Sequence, residues 1–299
     1  MQWFFIALAA PLIWAVVNHI DKYVISRYAE NKKPEALVIF SSLTAGLAAV
    51  LISIFAPIQN LSILNILVVA FAGVIFVASY IPYMYALKED EVSIVAPLWQ
   101  MIAPISYVLG AVFLREYLPL KQVLAGLLIV AGAVLMTIDF KKFVWKGRIF
   151  KLMFLSSFLL ASNTLIFKII GLESSFWTVS LWEYVGAFVF GIVLLCFSSY
   201  RADFGSFLKE GGKKIVFLNI LAESINVIAR LFFNFAALVA PIVLVYVLNG
   251  TQPLFIFLYG LILFFFFPKI EAENFSKTHF MLKLLAIIIM ILGSTLLFL

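Results

Sequence analysis

The segment VSIVAPLWQMIAPISYVLGAVFL, residues 92–114, recurs in altered form as PIVLVYVLNGTQPLFIFLYGLIL, residues 241–263. An offset of 149 residues places Pro253 of the second copy opposite Pro104 of the first. Such self-similarity indicates that one structural unit occurs twice in the chain. Both copies are apolar and 23 residues long, enough for a helix to cross a lipid bilayer. The repeat therefore predicts a duplicated helical membrane protein.

Composition extends this prediction to the whole chain. Of its 299 residues 65% are hydrophobic and only 12% are charged, far outside the range of soluble domains. The sequence predicts an all-α polytopic membrane protein with ten transmembrane helices, at residues 3–24, 36–56, 62–87, 92–114, 120–138, 149–171, 176–198, 215–239, 241–267 and 279–298. A single cysteine and two histidines exclude a disulfide framework and a Cys/His metal centre, so no metal or cofactor is expected.

The basic residues predict the orientation of these helices. Seventeen of the 21 Lys and Arg residues lie in or beside the connections that follow the odd-numbered spans. By the positive-inside rule these connections are cytoplasmic, and both termini are on the non-cytoplasmic side. The net charge of +6 is explained by this asymmetry, and no nucleic-acid partner is expected. The predicted location is a bacterial inner (plasma) membrane.

The duplication divides the chain into a first five-helix repeat, residues 1–140, and a second, residues 148–299. Each repeat ends in a helix with a late glycine, Gly132 or Gly293. Because five is an odd number, the two repeats must insert in opposite orientations. Inverted repeats are typical of secondary transporters, whose substrate sites lie between the repeats near the membrane midplane. A central cavity between the repeats is therefore expected.

A longer stretch, MYALKEDEVSIVAPLWQMIAPISYVLGAVFLREYLPLKQVLAGLLIVAGAVLM, residues 84–136, carries a family resemblance. It has a YAL end to one helix, an acidic turn, a proline-containing helix, the pair Arg115-Glu116 and a glycine-rich helix. This order resembles the EamA-like permeases of the drug/metabolite transporter superfamily. The resemblance implies ten helices around a central cavity, with the fifth and tenth at the periphery. Family members commonly export amino acids or other small metabolites, and Glu271 is the candidate counterpart of Glu116.

The eighth predicted helix carries the most unusual polar residues. Its sequence, IVFLNILAESINVIARLFFNFAALVA, residues 215–240, places five polar side chains within about 80° of one helical face: Asn219, Glu223, Asn226, Arg230 and Asn234. Ionisable groups inside a membrane usually face a water-filled cavity or a partner group. In one interpretation Arg230 binds a substrate carboxylate or phosphate, and Glu223 binds an amine or carries a proton. In the other they form a buried structural pair, with Glu183.

Glu183 has two alternative roles, which the sequence leaves open. It is either the counter-ion of Arg230 or a separate proton-coupling residue, beside Glu223. Its neighbour Tyr184 is expected to point elsewhere on the helix.

Further candidates for substrate binding come from the duplicated helices. Gln100 and Asn249 precede Pro104 and Pro253 by four residues, so each proline frees the carbonyl of the amide residue. Freed carbonyls and amide side chains could line a cavity or pack between helices. Tyr246, Tyr80, Tyr83 and Asn18 complete the predicted set. The charges of Arg115-Glu116 are interpreted as solvated loop charges, with the alternative that Glu116 braces a helix terminus.

These features predict a secondary transporter, an exporter of a small amphipathic or zwitterionic metabolite such as an amino acid. The alternatives are a non-transporting membrane scaffold or receptor, and a flippase of a lipid-linked metabolite. An enzyme is not expected, because HExxH, GxSxG and nucleotide-binding GxxxxGK[ST] motifs are missing. The expected partners are a small-molecule substrate, the lipid bilayer and a second copy of the chain in a homodimer.

Overall fold

A computed structural model of the chain describes residues 2–28, 34–89, 95–137, 147–266 and 277–298. Within these ranges every regular element is a helix, and no strand occurs. The predicted all-helical fold is therefore confirmed. Glu271, the suggested counterpart of Glu116, lies outside the described residues.

The first half of the chain forms six α-helices and two shorter helical turns. The α-helices are α1 (Gln2–Tyr28), α2 (Pro34–Phe55), α3 (Ile63–Ala78), α4 (Tyr80–Glu89), α5 (Ile102–Leu109) and α6 (Leu120–Thr137). A 3₁₀ helix, Ala96–Met101, precedes α5, and a π-helical turn, Gly110–Leu114, follows it.

The second half forms the remaining six helices. They are α7 (Gly147–Gly171), α8 (Phe176–Cys196), α9 (Ser198–Val239), α10 (Ile242–Asn249), α11 (Gln252–Phe266) and α12 (Lys277–Phe298).

Seven helical segments in the described part are long and apolar enough to cross a membrane: Gln2–Ile20, Val38–Phe55, Ile63–Ala86, Gly147–Gly171, Phe176–Cys196, Val216–Val239 and Ile242–Gly260. They coincide with seven of the ten predicted spans. The other three predicted spans coincide with shorter apolar helices, Leu98–Leu114, Leu120–Gly132 and Leu284–Leu296. The chain is thus an integral membrane protein, and the ten-span inverted arrangement stays a prediction.

Three predicted spans are broken rather than continuous. The third divides at Ser79, where Pro82 removes the hydrogen bond that the carbonyl of residue 78 would receive. The fourth passes through 3₁₀, α and π geometry around Pro104, and the ninth divides at Gly250 before Pro253. The kinks expected from the paired prolines are therefore present.

The polar segment before the eighth span differs from its prediction. The sequence predicts a connection at residues 199–214, but the structure has helix from Ser198 onward. The helix is interrupted only at Gly212, whose φ of 63° lies in the left-handed region that glycine tolerates. Phe207 is buried against Phe40, so this polar segment has one apolar face that packs on α2. That apolar contact explains why a charged sequence forms a helix here.

The two halves of the chain interleave in one helix bundle. α1 packs on α9, α2 packs on α8, and α3 packs on both α7 and α8. α6 and α12 pack on each other, and their late glycines make the contact close. A Cβ atom at Gly132 would lie 2.9 Å from the carbonyl oxygen of Ala286, and one at Gly293 would lie 2.9 Å from that of Ala125. Each predicted terminal glycine thus lets the partner helix approach.

Candidate functional site

The site is built on an unusually close contact between α3 and α8. A Cβ atom at Gly73 would lie only 1.9 Å from the carbonyl oxygen of Glu183, and one at Gly186 would lie 1.8 Å from that of Ala70. No side chain fits between the two backbones, so glycine is required at both positions. The contact holds the backbone of Glu183 directly against α3.

Glu183 lies at the centre of a buried hydrogen-bond network. Its carboxylate is 1% exposed and accepts hydrogen bonds from Arg230 at 3.1 Å, Asn163 at 2.8 Å and Asn234 at 2.7 Å. Asn163 also donates to the carbonyl oxygen of Ala72 at 2.9 Å and accepts from Arg230. These three hydrogen bonds satisfy the buried carboxylate within the bundle. The structure thus places Glu183 as the counter-ion of Arg230, one of its two predicted roles.

Arg230 is enclosed on its other sides by aromatic rings. Its guanidinium carbon lies 4.1 Å from the ring centre of Phe76 and 5.5 Å from that of Phe233. The residue is 3% exposed, and its Nε has no hydrogen-bond partner. The positive charge is therefore balanced by Glu183 and by two ring faces, and one N–H donor remains unused.

Glu223 is the second acidic residue of the site, and its surroundings differ. Its carboxylate accepts hydrogen bonds from the hydroxyl of Ser41 and, at 3.1 Å, from the amide of Asn226. The Asn226 oxygen in turn accepts from the Trp14 indole at 2.7 Å. In the part of the chain that the structure describes, no Lys, Arg or His nitrogen forms an ion pair with Glu223. Among the described residues, the donors that hold this carboxylate are therefore neutral.

A small cavity joins the two groups. It has a volume of about 20 Å³, enough for about one water molecule. Its lining residues come from α2, α3, α4, α8 and α9: Ser41, Ala45, Phe76, Val77, Tyr80, Tyr184, Glu223, Asn226, Val227 and Arg230. The carboxylate of Glu223 and the guanidinium of Arg230 both lie beside the cavity, and aromatic rings form much of its wall. Such an arrangement can bind a small organic cation or a polar group with an apolar body, after the bundle opens.

The predicted site residues divide into two groups in the structure. Glu223, Asn226, Arg230 and Tyr80 line the cavity, and Asn234 and Glu183 support Arg230 from behind. The other five do not line it, and their roles stay predictions: Gln100, Asn249, Tyr246, Tyr83 and Asn18.

Three of these outlying residues have defined surroundings. Tyr246 is buried, its hydroxyl is 2.6 Å from that of Thr164, and it donates to the Leu160 carbonyl at 3.0 Å. Tyr83 packs on the Trp99 ring. The buried Oδ1 of Asn249 has no hydrogen-bond partner.

Sequence reasoning missed several residues of the site. Asn163 and Ser41 were not candidates, although Asn163 stands out as a polar residue within the apolar stretch LLASNTLIF. Tyr184 points elsewhere on α8 than Glu183, as its position predicts, but it was not a candidate: it lines the cavity, and its hydroxyl donates to the Val227 carbonyl at 3.4 Å.

A second buried ion pair lies at one end of the bundle. Glu116 pairs with Lys168, which is 4% exposed and also donates to the carbonyl oxygen of Ala240. Glu116 accepts a further hydrogen bond, at 2.9 Å, from the backbone N–H of Ile242. Arg115 before it adopts a left-handed conformation, with φ of 56°. The interpretation of Glu116 as a solvated loop charge is therefore wrong, and the alternative agrees with the structure, because Ile242 is the first residue of α10.

Comparisons with known proteins agree with this fold. A solved crystal structure of another protein superposes with a TM-score of 0.71 over 99% of this chain and 96% of that chain, at 13% identity. At that identity the likeness shows the fold alone. No curated protein matches the chain in sequence. The model of the EamA-like transporter family matches residues 1–138.

The apolar helices show an integral membrane protein, and the family match suggests a membrane transporter of the drug/metabolite type. The matched residues, 1–138, make up somewhat less than half of the chain. The resemblance that the motifs of residues 84–136 indicate is thereby confirmed.

Proposed function

We propose that the chain is a secondary transporter that exports a small amphipathic or zwitterionic metabolite, such as an amino acid, by alternating access. The observation that carries the proposal is the pair Glu223 and Arg230 on the wall of one aromatic cavity within the membrane helices. Charged groups are costly inside a membrane and are usually kept for binding or translocation. A passive scaffold would need neither the cavity nor the carboxylate without a cationic partner.

The packing of the helices supports two inverted five-helix repeats. If each helix is replaced by its equivalent in the other repeat, the contact of α1 with α9 corresponds to the contact of α7 with α3, and the structure has both. In the same way, the contact of α2 with α9 corresponds to that of α8 with α3. The contact of α1 with α11 corresponds to that of α7 with α5. A bundle with this exchange symmetry suits alternating access, in which one repeat rocks against the other around a fixed site.

The cavity residues have complementary roles in this proposal. Glu223 binds a substrate amine or a coupling proton, since no cationic side chain among the described residues pairs with its carboxylate. Arg230 faces the opposite part of the substrate and is held in place by Glu183. Tyr80 and Asn226 complete the polar contacts. The protein is placed in a bacterial inner membrane, with both termini non-cytoplasmic, and a homodimer is its proposed assembly.

The test is flux of candidate metabolites in proteoliposomes that contain the purified chain, with a pH gradient imposed or removed. Arg230→Ala is expected to abolish flux while the protein still inserts and elutes as a single species. Arg148→Ala is the matched control, because the Arg148 side chain is 77% exposed and its ion pair with Glu89 is at the surface. Undiminished flux in the Arg230 variant would rule out this site. No flux of any metabolite would favour a scaffold.

A further inference from the structure

The charge balance of the cavity points to the kind of substrate that it accepts. Arg230 and Glu183 form a 3.1 Å ion pair whose charges cancel. The donors to Glu223 among the described residues are the neutral groups of Ser41 and Asn226. The other titratable side chains of the cavity wall are the phenols of Tyr80 and Tyr184, which bring no positive charge. The described site therefore carries one uncompensated negative charge whenever Glu223 is ionised.

A substrate carboxylate would fit this site poorly. The Nη2 atom of Arg230 already donates hydrogen bonds to Asn163 and Glu183, whereas the buried Nε atom has no hydrogen-bond partner. A bidentate contact with a second carboxylate would have to displace Glu183, which would then lose its counter-ion in the interior of the bundle. An incoming carboxylate would also add a like charge to a site that already holds Glu183 and Glu223.

A substrate ammonium group would fit much better. It would supply the positive charge that Glu223 lacks, in the same low-dielectric surroundings that strengthen such a contact. The rings of Phe76, Tyr80 and Tyr184 line the same cavity and can receive both the cation and an apolar body.

We infer that Glu223 is the ammonium-binding residue of this site, and that the substrate carries a net charge of +1: an apolar or aromatic amine in preference to the parent amino acid. The inference rests on the transport function proposed above and narrows its substrate class. Arg230 is then a positioning residue that fixes Glu183 and the aromatic wall, and it makes no full salt bridge with the substrate.

Four probes that share one aromatic body test the inference. At neutral pH phenethylamine and 3-phenylpropylamine carry a net charge of +1, phenylalanine is a zwitterion, and 3-phenylpropionate is an anion. Binding is measured as the rise in thermal unfolding temperature of the purified protein in detergent, because a ligand of the folded state stabilises it. Flux of the labelled probes is measured in proteoliposomes, with protein-free liposomes correcting for passive permeation.

The two cations are expected to bind at least tenfold more tightly than phenylalanine, and 3-phenylpropionate is expected not to bind. Glu223→Gln should lose at least tenfold in affinity for the cations, and Glu223→Asp, which keeps the charge, should retain their preference over phenylalanine. Glu173→Gln is the matched control, because Glu173 is exposed in a turn. The ranking of probes on the unaltered protein needs no variant, so a misfolded Glu223→Gln protein leaves the test intact.

Tighter binding of phenylalanine or 3-phenylpropionate than of the amines would overturn the inference and leave the transporter assignment standing. The inference also fails, and the assignment again stands, if no probe binds while the metabolite flux described above is present. Absence of both probe binding and metabolite flux would overturn the two proposals together. Unchanged cation affinity in a folded Glu223→Gln protein would remove Glu223 from the site.

Discussion

Replacing Gly73 by alanine would test whether the contact between α3 and α8 is what holds Glu183 in place. The added Cβ atom would lie 1.9 Å from the carbonyl oxygen of Glu183 and 2.8 Å from the amide nitrogen of Ala187. Both obstacles are backbone atoms, so no side chain can rotate away. The two helices would have to part by about 1.5 Å to reach an ordinary contact distance, which is the kind of overpacking that distorts a backbone.

The expected loss of stability follows from that displacement. Overpacking typically costs about 1–3 kcal/mol, and we expect the upper end because the backbone itself must move. The same movement would lengthen the 3.1 Å contact between Glu183 and Arg230 towards the limit of a hydrogen bond. Gly73→Ala should therefore lower the free energy of unfolding by about 3 kcal/mol and should also weaken substrate flux.

Unfolding in increasing SDS, followed by circular dichroism of the purified protein in mixed micelles, measures this change. Gly205→Ala is the matched control, because no heavy atom lies within 4 Å of its added Cβ. Within a helix this exchange should leave stability unchanged or raise it by up to about 1 kcal/mol. If Gly73→Ala unfolds at the same SDS fraction as the unaltered protein, the contact does not position the site.

Three further predictions concern the ion pairs and the hydrogen bonds of the site. Glu183→Gln should destabilise the protein by about 3–5 kcal/mol, because it leaves Arg230 buried without a counter-ion, and adding Arg230→Met should recover much of the loss in the same SDS titration. Glu116→Gln should lower the free energy of unfolding by about 3 kcal/mol, because it leaves Lys168 buried without a counter-ion. Its control, Glu89→Gln, breaks a surface pair and should lower it by about 1 kcal/mol or less. Equal losses in the two variants would contradict the buried pair. Trp14→Phe should lower the free energy of unfolding by about 1 kcal/mol, because the hydrogen bond to Asn226 is lost. The affinity of the site for the amine probes should change as well. An unaltered unfolding curve would argue against that hydrogen bond.

The sequence predicts the helical fold well, because long apolar segments have few alternatives in a membrane. The polar stripe of residues 215–240 likewise predicts that Glu223, Asn226 and Arg230 share one face, since helical periodicity alone decides this. All three line the observed cavity. The paired prolines also predict the broken helices around Pro104 and Pro253.

What the sequence misses depends on contacts between distant segments. Asn163 and Ser41 are small polar residues of a kind common in membrane helices, and only the approach of α8 and α9 gives them their partners. Glu116 lies in the turn before α6 and Lys168 lies near the end of α7, so nothing local distinguishes Glu116 from an ordinary loop charge. Periodicity gives the face of a helix, but the packing of the bundle decides which face meets which neighbour.

The ion pair of Glu116 and Lys168 has a consequence for the role of water. It joins the turn after Leu114, the end of α7 and the junction of α9 with α10. Any movement that parts these three segments exposes a buried ammonium and a carboxylate at the same moment, and neither is stable without a partner. Water must therefore enter as they part. Opening at this end of the bundle is a hydration event, and its rate should respond to osmotic pressure as well as to substrate.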